Sequence, residues 1–396
     1  MARPAPIVIA GGGVCGLSTA IALSINGRHS HILERRADIS EAGAGIQLGP
    51  NAVRILARLG VDDVLSDRVT VPDAINIFSG KSGERLIQLP LGIWAKKRFG
   101  APYWVALRSD LQSALHRTLR KYTTATFTNG FHVESFEQLT DGVSVFNASK
   151  NCVTGSALVA ADGMWSQIRD WRFSNTQPKF IGKSAYRTIA DRASVPHPFS
   201  DGNISLWIGP GMHIESYPVA AGSKICIVGM IDDVQRGTDW GAPTDGRFLL
   251  DRVKKWTPQL SDFLSSISSW HRWAIHLGPR LTHWTSGRVA LAGDAAQSIS
   301  PLLPQGGSLA IESAYAIATA LEQTPHDPEA AFRRYEMMRR SRSIRVAKLS
   351  TLTGQICHLA GWSATIRDSL LRQIPGDRVV KRLDWLYGYD CECDQS

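Results

Sequence analysis

The sequence predicts an α/β fold: a Rossmann-like dinucleotide-binding domain with an inserted, mostly antiparallel β-sheet module and a C-terminal helical segment. Three features predict it. A glycine-rich turn joins an apolar strand to an apolar helix at the amino terminus, and two later apolar strands each break at a Gly/Asp pair. Between those strands the pattern shifts to short alternating runs separated by Gly and Pro.

Composition sets the outer bounds. With 396 residues, 43% hydrophobic and 20% charged, the chain can bury a core for two or three packed modules, and disorder is not expected. No stretch reaches the roughly 18 uninterrupted apolar residues of a membrane span. The apolar run Ile7 to Ala10 is followed at once by glycines, which fits a buried strand better than a signal peptide, so a cytoplasmic location is expected. Six cysteines (Cys15, Cys152, Cys226, Cys357, Cys391, Cys393) show no CxxC spacing, as in a reduced compartment. Cys391 and Cys393 look like a pair but are too few ligands for a metal, and no metal site is expected. The net charge of +9, concentrated between Arg333 and Arg345, comes with no nucleic-acid-binding motif and reads as a solvated basic helix face that attracts anionic small molecules.

Ile7 to Ala10 leads into Gly11-Gly12-Gly13-Val14-Cys15-Gly16, and Leu17 to Leu23 continues at helical spacing. Gly11, Gly13 and Gly16 fit G-x-G-x-x-G: one glycine for the turn, one to admit a pyrophosphate, one for helix-against-strand packing. The phosphate would sit on the free N–H groups of the helix N-terminus. A second strand, His31-Ile32-Leu33, ends in Glu34, eighteen residues after Gly16, where a carboxylate can hold both hydroxyls of an adenosine ribose. Alone, these glycines also fit a turn that binds nothing.

Val159-Ala160-Ala161 breaks at Asp162-Gly163, with Ser166 and Arg169 on the next turn, and Arg288 to Ala292 breaks at Gly293-Asp294. Beyond Asp294, a Pro- and Gly-rich loop, Gln297 to Ser308, precedes an apolar helix from Leu309 to Leu321 that carries Glu312. The N–H groups of Gly306, Gly307 and Ser308 would face whatever sits before that helix.

Together these segments resemble the three fingerprints of the group A flavoprotein aromatic hydroxylases, with the 4-hydroxybenzoate hydroxylase-like fold. The segment Ala42-Gly-Ala-Gly-Ile-Gln47-Leu-Gly-Pro-Asn-Ala-Val-Arg54, with Ala106-Leu-Arg108-Ser-Asp-Leu111, Gly293 to Ala314 and Asp384 to Asp390, is similar to the branch of salicylate hydroxylase, 3-hydroxybenzoate 6-hydroxylase and 6-hydroxynicotinate 3-monooxygenase. The likeness runs over nearly the whole chain. It implies FAD as cofactor, held by Gly11, Gly13, Val14, Gly16, Glu34, Arg35, Gln47, Arg108, Asp162, Gly163, Asp294, Gly306 and Gly307. It further implies NADH or NADPH, O2 as co-substrate, and hydroxylation of a small aromatic or N-heteroaromatic compound through a flavin C4a-hydroperoxide. Two positions depart from the family pattern: Gln297 stands where Gly-Asp-Ala-Ala is usually followed by His, and Ser313 follows Glu312 where Asp is usual. Gln cannot titrate, and Leu302, Leu303 and Pro304 make the loop apolar, so the departures bear on the substrate.

From about Ser184 to Leu277, runs such as Ile204 to Ile208 and Lys224 to Gly229 alternate between Gly and Pro turns. In Met212 to Pro218, period two puts His213, Glu215 and Tyr217 on one face and Met212, Ile214 and Ser216 on the other. The resemblance implies that His213 and Tyr217 face the substrate ring as the catalytic pair. A neutral His can take a phenol proton, whose pKa is about 10 in water, and Tyr217 can hold the substrate oxygen. On spacing alone, without the resemblance, they read first as a hydrogen-bonded pair on an ordinary strand face. Arg187, Gln297, Pro301 and Leu303 are the expected substrate contacts, with a surface salt bridge the alternative for Arg187. The twelve tryptophans, including Trp94, Trp104 and Trp207, fit an aromatic pocket or simply the core.

The expected division is an FAD domain from residues 1-72, 100-182 and 278-340, a substrate domain from 73-99 and 183-277, and a helical tail from 341-396. No second glycine-rich strand-turn-helix appears, so the nicotinamide cofactor would visit transiently. No nucleic-acid or membrane partner is expected, and the chain would be a monomer or homodimer. An epoxidase or N-hydroxylase on an apolar substrate stays open, as do a flavin reductase or dehydrogenase that inserts no oxygen and a flavin-binding protein without catalysis.

Overall fold

The computed structural model describes residues 5–37, 44–173, 177–233 and 240–392; Ala42, Gly43 and Cys393 lie outside the described residues. Ile7–Ala10 lies within a six-stranded sheet, parallel to Ser30–Glu34 on one side and Ala157–Ala160 on the other. Val289–Leu291 adds in parallel beyond Ala157–Ala160, and Ala125–Asn129 beyond Ser30–Glu34. A parallel sheet covered on both faces needs strands that are apolar throughout, which is why these segments read IVIA, ALVA and VAL. The first helix, Val14–Ile25, is buried from Val14 to Ser24 because Arg108–Leu119 and Gly306–Gln323 both pack on it.

The second layer is an eight-stranded sheet that draws Ala74–Ser79 and Arg85–Pro90 together with strands between Lys179 and Leu277. It is antiparallel apart from the pairing of Ile204–Gly209 with Ala74–Ser79. Its two faces bury different cores. Met212 and Ile214 pack with Leu249, Val253, Leu260 and Phe263 of the helices Arg247–Val253 and Pro258–Ser265, whereas Tyr217 packs with Phe99, Tyr103, Leu303 and Val346. The face assignment made from period two is therefore the one the fold uses. Trp207 is core, stacked at 5.2 Å on Phe78, and Trp104 is buried in the core that surrounds the six-stranded sheet.

The helix Pro328–Cys357 starts with Pro at its first turn and an Asp327 cap that accepts from Ala330 N at 2.9 Å, and it runs unbroken through residue 341. Gly361–Gln373, Gly376–Lys381 and Asp384–Tyr387 follow it. Two expectations need correction here. The arginines of this helix do not form one solvated face, because Arg339 and Arg342 are buried and paired with Glu312. The helix expected from Leu309 begins at Gly306, so the two glycines form its first turn instead of preceding it.

Candidate active site

Three parallel strands end side by side, and their loops assemble one end of the cleft. A Cβ on Gly11 would lie 2.4 Å from Ala161 O and one on Gly16 would lie 1.9 Å from Gly11 O, so both positions require glycine. Nothing stands within 4 Å of the Gly13 Cβ position, and the helix beginning there has neither a side-chain cap nor an acidic residue in its first turn. That combination leaves room and unpaired N–H groups for an anion. The Gly12 peptide is fixed from both sides: its N–H donates to Glu34 Oε2 at 2.7 Å, and its carbonyl accepts from Gln112 Nε2 at 3.2 Å. Gln112 carries no local signature and was not expected.

Asp162 backs onto Gly11, with its Cα 3.1 Å from the position of a Gly11 Cβ. Its carboxyl is raised by burial against the pull of Ser166, and Oδ1 is buried without a hydrogen-bond partner. Gly163, at φ +83°, faces open space. Gly293, at φ +58°, turns against Cys15 and presents Asp294 at the same strand ends. The Asp294 side chain opens onto the cleft, yet the walls around it raise its pKa by desolvation, with Arg108 pulling the other way.

Deeper along the cleft, the start of Gly306–Gln323 meets the strand Gly45–Leu48, where a Gly307 Cβ would lie 2.8 Å from Ile46 Cδ1. Gly306 faces open space, and both Gln305 Nε2 and Ser308 Oγ are buried without partners. Open room, orphaned polar atoms and an uncapped helix end fit the phosphates and polar ring edge of a flavin dinucleotide. Gln47, on the same strand, accepts from Tyr103 Oη at 2.8 Å and donates from Nε2 to Glu215 Oε1 at 2.8 Å.

Glu215 thereby links the eight-stranded sheet to the separate two-stranded ribbon of Gly45–Leu48 and Trp104–Leu107. Burial raises its carboxyl to about 6 against the opposing effects of Gln47 and Arg187. Arg187 is registered with Val228, which is registered with Glu215, so the three share a sheet face. The Arg187 guanidinium stacks 5.0 Å over Trp273, not in a surface salt bridge, and its Nε is buried without a hydrogen-bond partner. Tyr217 pairs across the strands with Cys226, and a Cβ on Gly45 would lie 2.4 Å from its ring. The loop side is apolar: Leu303 is buried with Ile299, Val228 and Met230, and Leu302 leans on Gly354 of the long helix. Gln297 is partly buried at the end of Asp294–Gln297, and Arg35 and Pro301 are exposed.

His213 and Tyr217 share a face without bonding each other. Instead, His213 Nδ1 meets His358 Nε2 at 2.9 Å, at the C-terminal cap of the long helix. Burial, then His358 and Lys183, push His213 down to about 3, so its ring is neutral. Within the helix Gly306–Gln323, Glu312 accepts from Arg339 and Arg342 and from Asn51 Nδ2 at 2.6 Å, and Asn51 also reaches Gln305 Oε1 at 3.1 Å. Burial would raise the Glu312 carboxyl, but Arg339 and Arg342 outweigh it and hold it at about 2.

A family described as "FAD binding domain" matches residues 4–350. The chain is 30% identical over 390 residues to "3-hydroxybenzoate 6-hydroxylase" of Klebsiella oxytoca, covering 98% of each. It is 31% identical over 389 residues to "3-amino-4-hydroxybenzoate 2-monooxygenase PtnB3" of Streptomyces platensis, covering 97% of this chain and 96% of that one. Among solved structures, a salicylate hydroxylase substrate complex superposes with a TM-score of 0.83 at 23% identity, covering 98% of this chain and 97% of that one. HpxO of Klebsiella pneumoniae, complexed with FAD and uric acid, gives 0.83 at 25% identity, covering 96% and 95%.

Proposed function

We propose, from the premise that this chain belongs to the FAD binding domain family and is an FAD-dependent aromatic monooxygenase, that it hydroxylates a small ring bearing a hydroxyl and a carboxylate. A hydroxylated N-heteroaromatic ring is the neighbouring possibility within that class. The observation that carries this substrate class is Arg187. It offers a buried Nε without a hydrogen-bond partner on the sheet face shared with Glu215, one element from the apolar wall around Leu303. An orphaned guanidinium donor stacked over Trp273 suits a carboxylate on a flat ring.

FAD, NAD(P)H and O2 are the cofactor and co-substrates, and bound FAD supplies the redox chemistry that activates oxygen for attack on the ring. In the proposed assignment, Gly11, Gly13, Val14 and Gly16 take the pyrophosphate, and Glu34 and Arg35 take the adenosine ribose. Asp294 holds the ribityl chain, Asp162 and Gly163 lie near the FAD pyrophosphate and the passing nicotinamide cofactor, and Arg108 contacts FAD, with Gln47, Gly306 and Gly307 at the ring. His213, neutral at working pH, accepts the hydroxyl proton, because a phenolate is the better nucleophile. Tyr217 holds the oxygen, Arg187 the carboxylate, and Leu303 with Gln297 and Pro301 forms the wall that keeps water out.

Cytoplasmic location and a monomeric or homodimeric state belong to the same proposal. Free cysteines among the described residues, and described helices none of which is long and apolar enough to cross a membrane, support the location. The apolar wall of Ile299, Leu303 and Leu309 favours a second reading, a substrate without an ionisable hydroxyl. The experiment that separates them follows NADH and NADPH oxidation against hydroxybenzoates, hydroxypyridines and quinolines, with H2O2 quantified beside each rate. Stimulation by a hydroxybenzoate with little peroxide is expected. Stimulation only by compounds lacking a hydroxyl would overturn the phenol reading.

A further inference from the structure

His358 is the C-cap of Pro328–Cys357, and Gly211 N donates to its carbonyl at 3.1 Å, which fixes the helix end against the turn before His213. His213 Nδ1 and His358 Nε2, 2.9 Å apart, share one proton between two rings. The other nitrogen of His358, Nδ1, has both a donor and an acceptor beside it: Lys183 Nζ at 3.0 Å and Asp232 Oδ1 at 3.4 Å. Lys183 and Asp232 are themselves paired. The His358 side chain is 6% exposed and that of Asp232 is 50% exposed, so the row of groups leads from the buried sheet face to solvent.

We propose that His358 is a positioning residue that acts through His213, setting its tautomer and carrying the substrate hydroxyl proton out to Asp232 and water. The inference rests on the hydroxylase reading above and names a route for its proton.

In the receiving state His213 carries its proton on Nδ1 and donates it to His358 Nε2, and His358 carries its own on Nδ1 and donates it to Asp232. Nε2 of His213 is then an acceptor. The hydroxyl proton moves to His213 Nε2, the Nδ1 proton of His213 moves to His358 Nε2, and the Nδ1 proton of His358 moves to the Asp232 carboxylate and on to water. Each ring gains one proton and loses one, and the substrate is left as a phenolate. His358 Nδ1 has now become an acceptor, and Lys183 donates to it, so each tautomer of the pair finds a partner already in place. The reverse passage returns a proton to a product oxygen and resets both rings.

A shuttle of this kind needs both rings neutral. Burial and then Lys183 push His358 down to about 4, with Asp232 opposing from the neighbouring strand and Arg367 adding to the push from Gly361–Gln373. Lys183 also bears on His213.

The test uses the FAD-loaded, full-length enzyme with hydroxybenzoates as probes, comparing the wild type with His358→Gln and His358→Phe. Glutamine keeps a donor and an acceptor but cannot pass a proton. Both variants are expected to lose kcat by a similar factor of about 10 or more, with KM within about 2-fold. A His358→Gln enzyme with wild-type kcat across the pH profile would reduce His358 to a helix cap and overturn the relay. NMR of nitrogen-labelled imidazoles reads the pair without turnover. Both rings are expected to stay neutral between about pH 5 and pH 9 with one proton shared, and independent titration of the two rings in that range overturns the coupling. A wild-type enzyme that hydroxylates no probe defeats the hydroxylase reading and the relay with it. Normal product formation by His358→Phe defeats the relay alone.

Discussion

Gln47 Nε2 donates to Glu215 Oε1 at 2.8 Å, and this one hydrogen bond ties the strand Gly45–Leu48 to the face of the eight-stranded sheet. Glu215 is also the carboxylate nearest in register to Arg187, so its charge decides how free that guanidinium is. Below about pH 6 the carboxyl is protonated and, on the proposed role of Arg187, would leave that guanidinium to a substrate carboxylate; above it, the anion would compete. KM for a hydroxybenzoate is therefore expected to rise as pH passes upward through about 6, by roughly 10-fold, and Glu215→Gln should flatten that dependence. The stability sign agrees. A carboxyl whose folded pKa is raised contributes stability that is present below its unfolded value and lost as pH rises through about 6, by roughly 2 kcal/mol, and denaturant titration of the Gln variant should show that loss removed.

The glycine turn makes a separate prediction. Gly13→Leu fills the only open Cβ position of the three motif glycines without meeting protein, so the fold should survive while FAD affinity falls sharply. Glu34→Ala leaves Gly12 N–H without its acceptor and should weaken FAD by about 10- to 100-fold, read by flavin fluorescence on titrating the apoprotein. Gly16→Ala, by contrast, drives a methyl into the Gly11 carbonyl, and soluble protein should be lost.

Glu312 holds two buried arginines. Glu312→Gln leaves Arg339 and Arg342 uncompensated inside the protein and should cost about 3–5 kcal/mol in urea unfolding. Because its carboxyl is held at about 2, the stability it contributes is present above the ordinary carboxylate range and lost as pH falls from about 4.5 towards 2. Acid unfolding of the wild type should be steep in that window, and the Gln variant shallower.

Leu303 is 8% exposed and packs between the loop and the sheet. Leu303→Ala opens that wall to water, and a larger share of consumed NADH should appear as H2O2, measured by peroxide assay beside product. Equal coupling in the variant would place the water barrier elsewhere.

Where signal was local, the sequence carried it. Ile7 to Gly16 encodes strand, turn and helix in ten consecutive residues, and alternation in Met212–Val219 separates its two faces before any partner is known. What it could not carry were pairings set by the fold. Gly45 must be glycine because Tyr217 lies against it, and Gln47 matters through Glu215, contacts that join residues far apart in the chain. His358 sits in an unremarkable helix end and gains a role only from the strand turn packed on it. Arg339 and Arg342 read as solvated because arginine usually is, and only the buried Glu312 on the neighbouring helix turns them inward.

The most direct measurement is mass spectrometry of the product formed by the FAD-loaded enzyme from NADH, a hydroxybenzoate and heavy-isotope O2. A dihydroxylated ring carrying one heavy oxygen atom, formed in step with NADH consumed, is the expected result. NADH consumed with all the oxygen recovered as peroxide and no labelled ring, across the whole panel, would contradict it.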